Sequence, residues 1–122
     1  MAIQGRRRAV VGQWGEERAA HWLLERGWKV VERNWRCPAG EVDIVARDLD
    51  GSLVLVEVKT RSGLRFGDPL ESITVAKQRK LRDLAVHYRR SHPGTRHVRV
   101  DAIGVLRTRE GVRIRHVKGA LG

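Results

Sequence analysis

The spacing of apolar and polar positions changes period several times along the 122 residues. The stretch from about Arg7 to Arg26 reads as a helix stopped by Gly27, since glycine is common just past a helix end. Residues 28–36, WKVVERNWR, favour an extended chain, and CPAG after them marks a turn. EVDIVA at 41–46 alternates like a strand. RDLDG at 47–51 is a hairpin-turn signal leading into a third strand at 52–60. Residues 61–71, RSGLRFGDPLE, hold two glycines and a proline and read as a loop. From Thr74 to about Arg90, Leu81, Leu84, Ala85 and Tyr88 fall at i, i+3, i+4 and i+7, the buried stripe of a second helix. Pro93-Gly94 breaks the chain, and HVRVDAIGV and VRIRHV give two more strands around a turn near Glu110-Gly111. The predicted order is αβββαββ, an α/β fold with a mixed β-sheet flanked by helices, in one domain over 1–122. The ends, 1–6 and 118–122, are expected to be loose.

Two charges interrupt this pattern. In LVLVEVKT, Val54, Val56 and Val58 share one face, leaving Leu53, Leu55, Glu57 and Lys59 on the other. In EVDIVA the same alternation groups Val42, Ile44 and Ala46 and turns Glu41 and Asp43 the opposite way. With both valine faces toward the core, Asp43, Glu57 and Lys59 emerge together. A fourth group joins them from the first helix. Glu16 has Ala19, Ala20 and Leu23 as its neighbours one and two turns on, whereas Glu17 has His21. Gly12 and Gly15 flank Glu16, and glycine inside a helix costs up to about 1 kcal/mol against alanine, so a close approach is expected there.

Charges removed from water need partners or a task. Carboxylates that meet repel, and a cation relieves them; oxygen ligands alone suit Mg²⁺ or Mn²⁺. Such a metal lowers the pKa of a bound water and stabilises charge on a phosphate, while a half-buried lysine beside it would have its own pKa lowered toward proton transfer. The same residues also suit a plain buried ion-pair cluster, with Lys59 held by Asp43 or Glu57.

Composition favours the first of these. Lys and Arg total 25 against 14 acids, a formal charge of +11, which concentrates polyanions at the surface. Nucleic acid is the expected partner; an anionic membrane is the rival, but the chain offers no long amphipathic helix with bulky exposed apolar residues. No apolar run approaches the ~20 residues of a membrane span, no apolar segment follows the basic start, and Cys37 is alone, so a cytoplasmic address is expected by default. Lys77, Gln78 and Lys80 open the second helix, where phosphate is favoured, and Arg61 and Arg65 follow Lys59 in the chain. All five are candidate contacts to the nucleic-acid backbone.

Asp43 followed by Glu57-x-Lys59 resembles the core of the PD-(D/E)xK nuclease superfamily, with Val42 where the superfamily's name puts proline. The wider pattern, GQWGEERAAHWLLERGW, RNWRCPAGEVDIVARD, LVLVEVKTRSGLRFGDP and VAKQRKLRDLA, resembles the YraN family of small bacterial proteins over roughly residues 10–105. That family is similar to archaeal Holliday-junction resolvases. The resemblance implies a restriction-endonuclease-like fold, with Glu16, Asp43 and Glu57 binding Mg²⁺ or Mn²⁺ and Lys59 positioning or activating water. It further implies branched DNA as substrate, and a symmetric junction calls for a homodimer.

Other polar residues read as structural. Glu41 lies at its strand's start and reads as an exposed accessory. Asp101, among apolar neighbours, is expected to hold a buried arginine or a backbone amide. The five histidines show no ligand spacing, and the tryptophans 14, 22, 28 and 35 are assigned to core packing.

Overall fold

The computed structural model describes residues 2–62 and 75–120, with backbone alone at 2–10 and 75–76. Helix α1 (Ala2–Glu25) leads into strands β1 (Lys29–Cys37), β2 (Gly40–Arg47) and β3 (Leu53–Ser62). Helix α2 (Val75–Ser91) and strands β4 (Val98–Thr108) and β5 (Gly111–Val117) follow. The five strands form one sheet in the order β1-β2-β3-β4-β5. Neighbours are antiparallel except β3 and β4, which run parallel with α2 as the crossover between them. The αβββαββ order and the mixed sheet are those the sequence predicts.

Each helix covers one face. Against α1 lie Ile44, Ala46, Val54, Val56, Val58, Ile103 and Val105, packed on Ala19, Ala20, Leu23 and Trp28. Against α2 lie Val42, Val45, Leu53, Leu55 and Val100, packed on Leu81, Leu84 and Tyr88. Strand β3 alternates between the two clusters as its sequence demands. Strand β2 does not: Val42 and Ile44 are two apart yet sit on opposite faces, contrary to the shared face expected of Val42, Ile44 and Ala46. The slip falls at Asp43. There the β2–β3 ladder stops at the Ile44–Val56 pair, and Asp43 Oδ2 takes the Val58 N–H at 2.8 Å in place of a backbone carbonyl. Opposite on β1, Asn34 adopts φ 54°, a conformation that asparagine tolerates better than most residues.

Local chemistry fixes the ends. Helix α1 closes with Gly27 at φ 84°, its N–H on Leu24 O and the Trp28 N–H on Leu23 O, the paired bonds of a glycine-capped terminus. In the β2–β3 turn Asp48 Oδ1 accepts the N–H groups of Asp50 and Ser52, and Gly51 supplies φ 80°. Three expectations need correction. Helix α1 begins at Ala2, so residues 2–6 continue it. Arg61 and Ser62 belong to β3 and not to a loop, because β4 runs on beside them and pairs with both; residues 63–71 lie outside the described residues. At the far end, Gly119 N–H binds Asp101 Oδ1 at 3.0 Å and Ala120 N–H binds Val100 O at 2.7 Å, which ties down a segment expected to be loose.

Candidate active site

Helix α1 lies tight against β3 at Gly15. A Cβ there would stand 1.8 Å from Thr60 Oγ1, so only glycine permits this approach. At Gly12 a Cβ would meet nothing within 4 Å, so the expected close contact belongs to Gly15 alone. The approach sets Glu16 against Asp43, and the two carboxyls share a hydrogen bond. Burial pushes the Asp43 carboxyl up to about 8, helped by the negative charges of Glu57 and Glu16 and opposed by the Val58 N–H. Burial also raises Glu16, with Glu41 and Glu57 adding to the rise and the bond to Asp43 and the Arg33 charge working against it.

Glu57 projects toward α2. Its Oε1 lies 3.1 Å from Lys59 Nζ, and the two side chains keep only 18% and 20% exposure, so water screens this pair far less than a surface one. The sequence reading expected burial to lower the Lys59 pKa. Burial does pull that way, but the contact with Lys77 and the carboxylates of Glu57 and Asp43 outweigh it, and the pKa is raised. The lowered lysine is Lys77, brought to about 8 by its contact with Lys59 and by burial. Two ammonium groups side by side resist sharing full charge. Lys59, anchored by acids, keeps its proton, and Lys77 gives it up more readily.

These groups line a pocket of about 140 Å³ formed by Glu41, Glu57, Lys59, Lys77 and Lys80 over a floor of Leu81 and Leu84. Lys80 runs across Gly40, where a Cβ would come within 2.7 Å of its Cε. Glu41, read from sequence as an exposed accessory, is part of this wall. Sequence reading passed over Asn34. With its amide nitrogen turned to the acids, Asn34 Nδ2 lies 2.8 Å from Glu41 Oε1 and 3.2 Å from Glu16 Oε2, bridging the two. The available signal was a β-disfavoured asparagine inside a strand sequence. Arg61 stands exposed on β3, Gln78 is not among the pocket's lining residues, and Arg65 lies outside the described residues.

The structure therefore joins Glu16 to Asp43, and Glu57 to Lys59, with Asp43 between the two acids. Among the described residues, no three or more His, Cys, Asp and Glu side chains are gathered into a set able to hold a metal ion. The donor chemistry nonetheless fits a hard divalent cation. All the donors are oxygen, and a buried carboxyl between two acids is held from ionising until positive charge arrives. Asp101 is fully buried and, as expected, structural. It receives Arg99 Nε at 2.8 Å, Arg99 Nη2 at 3.1 Å and the Gly119 amide, with His116 Nε2 2.8 Å away. Trp28 is buried, and Trp14, Trp22 and Trp35 pack against the two core clusters. Among the described residues, no helix is long and apolar enough to cross a membrane.

Comparison with known proteins agrees on one group. A protein from Beutenbergia cavernae is 50% identical over 116 residues, covering 93% of this chain and 98% of its own. Relatives from Acidothermus cellulolyticus and Desulforamulus reducens are 44% and 43% identical and cover 98% and 99% of this chain, matched over 99% and 100% of their own. Among solved structures, an EndoMS–dsDNA complex is similar at 18% identity and a TM-score of 0.41, over 75% of this chain and 34% of that one. Pyrococcus furiosus SfsA in complex with Ca²⁺ is similar at 13% identity and a TM-score of 0.38, over 91% of this chain and 63% of that one. The model of the uncharacterised protein family UPF0102 matches residues 15–105. The chain belongs to the UPF0102 family, the YraN-type proteins that its motifs resemble.

Proposed function

We propose that this protein is a restriction-endonuclease-like DNA nuclease that hydrolyses phosphodiester bonds at the Asp43, Glu57 and Lys59 cluster. One observation carries the reading: Asp43, fixed by the Val58 N–H, meets Glu16 and Glu57 in a half-buried acidic group, and Glu57 also lines a pocket with three lysines. Asp43 and Glu57 would hold Mg²⁺ or Mn²⁺, with Glu16 beside Asp43. When bound, the metal would lower the pKa of a water and offset charge developing on the phosphate. Lys59 Nζ, kept protonated by the acids, orients a non-bridging phosphate oxygen and stabilises its charge. Lys77 and Lys80 grip the same phosphate from α2, and Arg61 holds the adjoining backbone. Lys77 Nζ, its pKa brought down to about 8 by the Lys59 ammonium and by burial, can hand a proton to the leaving oxygen. Branched DNA is the substrate by resemblance, acted on by a homodimer.

The test is cleavage of branched and linear DNA with Mg²⁺ or Mn²⁺. Glu57→Ala and Lys59→Ala should lose cleavage by a hundredfold or more, on the scale of removing one electrostatic group from an active site, and keep DNA binding. A second reading, a non-catalytic DNA-binding protein, draws on the Glu57–Lys59 ion pair and the absence of a ready ligand set among the described residues. It predicts equal binding with no cleavage by any variant. Both readings expect binding to weaken as salt rises, and Lys80→Ala should reduce the slope of log K against log salt by about 1.

A further inference from the structure

A second concavity lies on the α1 side, between that helix and β1. It measures about 500 Å³ and is lined by Gln13, Trp14, Glu16, Glu17, Arg33 and Asn34. We infer that this cleft receives one unpaired nucleobase of the DNA strand, next to the phosphate at the Asp43 cluster. The inference rests on the DNA reading above and names the part of such a substrate that this chain would recognise.

Three features assign the ligand. The volume falls within the 300–1,000 Å³ typical of small-molecule sites, room for a base with its sugar. The lining alternates an indole, on which a base ring stacks, with polar groups that read a base edge. Finally, a donor stands in the wall: Arg33 lines the cleft, and its Nη1 is held by Glu17, which fixes the guanidinium plane. The open edge of a guanidinium so held can donate to a carbonyl or ring nitrogen on the ligand. Two of the three charged lining groups are acids, which turns a phosphate away. The same acids accept from an exocyclic amino group, as Glu and Asp do from cytosine.

Geometry fixes the location. Glu16 lines the cleft and also hydrogen-bonds Asp43, and Asn34 lines it while bridging Glu16 to Glu41 on the pocket side. A base in the cleft is therefore one side chain removed from the acidic cluster, so its nucleotide flanks the scissile phosphate. In a continuous B-form duplex the bases are stacked inward and cannot reach it. The cleft selects a base already outside the stack, as at a bulge, a junction or a single strand, where the cost of extrusion is least.

The test uses the full-length protein in EDTA, which separates binding from cleavage. The probes are two labelled DNAs of equal length, one fully paired and one with a single bulged cytosine. Wild-type protein should bind the bulged DNA about tenfold more tightly, the scale of one stacked and hydrogen-bonded base. 2-Aminopurine placed in the bulge should be quenched on binding. Arg33→Gln should lose the preference and keep the affinity for paired DNA. Gln13→Ala, at an exposed position, gives the same reading should Arg33→Gln fold poorly. Equal affinity for both probes overturns the cleft assignment and leaves the nuclease reading standing. So does a preference that survives both substitutions. Absence of binding to either DNA overturns both.

Discussion

Asp43 loses solvation and gains Glu57 and Glu16 as neighbours, so its neutral form is favoured up to about pH 8. The sign of the linkage follows. An acid whose folded pKa lies above its unfolded value of about 3.9 contributes most below pH 4, and that contribution is lost as pH rises toward 8. Asp43→Asn removes the lost contribution. The variant should unfold at higher urea than wild type at pH 8 without metal, with the difference shrinking toward pH 5. Mg²⁺ at pH 8 should raise the melting temperature of wild type and leave Asp43→Asn unchanged, since binding to the native state alone stabilises it. Scanning calorimetry with and without the metal reads both. At this scale the sequence was partly legible. Glu57 and Lys59 are readable from the strict period of two in β3. Asp43 was assigned by the same rule in β2, where the rule fails at that residue, because its side chain replaces a rung of the ladder. The protonation of the lysines was not legible at all, since it depends on Lys77 arriving from another element.

Among the elements, the contact of α1 with β3 decides whether Glu16 reaches the site. The helix gains no closeness from its own sequence period; it comes from the missing side chain at Gly15 over Thr60. Gly15→Ala would place a carbon where Thr60 Oγ1 stands, so the helix must lift or Thr60 must turn. Overpacking of this kind costs about 1–3 kcal/mol, to be measured by urea unfolding. Adding Thr60→Ala removes the nearest atom and should recover part of the loss, a coupling that a double-mutant cycle detects. Cleavage should fall further than stability does, because displacing Glu16 leaves Asp43 without its partner. The glycines around Glu16 signalled a close approach in the sequence. Which of them makes it was not readable, because that depends on the register of helix on strand. The same limit explains Arg61 and Ser62: their glycine-rich continuation reads as loop, and their strand state comes from β4, a distant partner.

Across the whole molecule, one buried network ties together parts that share no sequence neighbourhood. Arg99 on β4 binds Asp101 through two nitrogens and reaches Asp48 in the β2–β3 turn at 2.9 Å, while His116 of β5 and the Gly119 amide complete the set around Asp101. The element order was legible from turn and breaker residues. The network was only half so: Asp101 announced a buried partner but not that the set reaches from the β2–β3 turn to the Gly119 amide. The surrounding donors hold the Asp101 carboxyl below its usual range despite burial. For a depressed acid, the stabilisation is present above the unfolded value near 3.9 and is lost as pH falls through the folded value. Wild-type stability should therefore decline below about pH 4. Asp101→Asn keeps the shape but takes one of the two counter-charges of the partly exposed Arg99, which still holds Asp48; the loss of a charge-assisted partner costs about 1–3 kcal/mol near neutrality. Urea midpoints measured from pH 2 to pH 7 should show wild type and variant far apart at pH 7 and converging at pH 2. Because the network anchors the C-terminal turn, the variant should also expose the Gly119 and Ala120 amides to hydrogen exchange, while Val58, bonded to Asp43 at the other site, stays as protected as the variant's global stability allows.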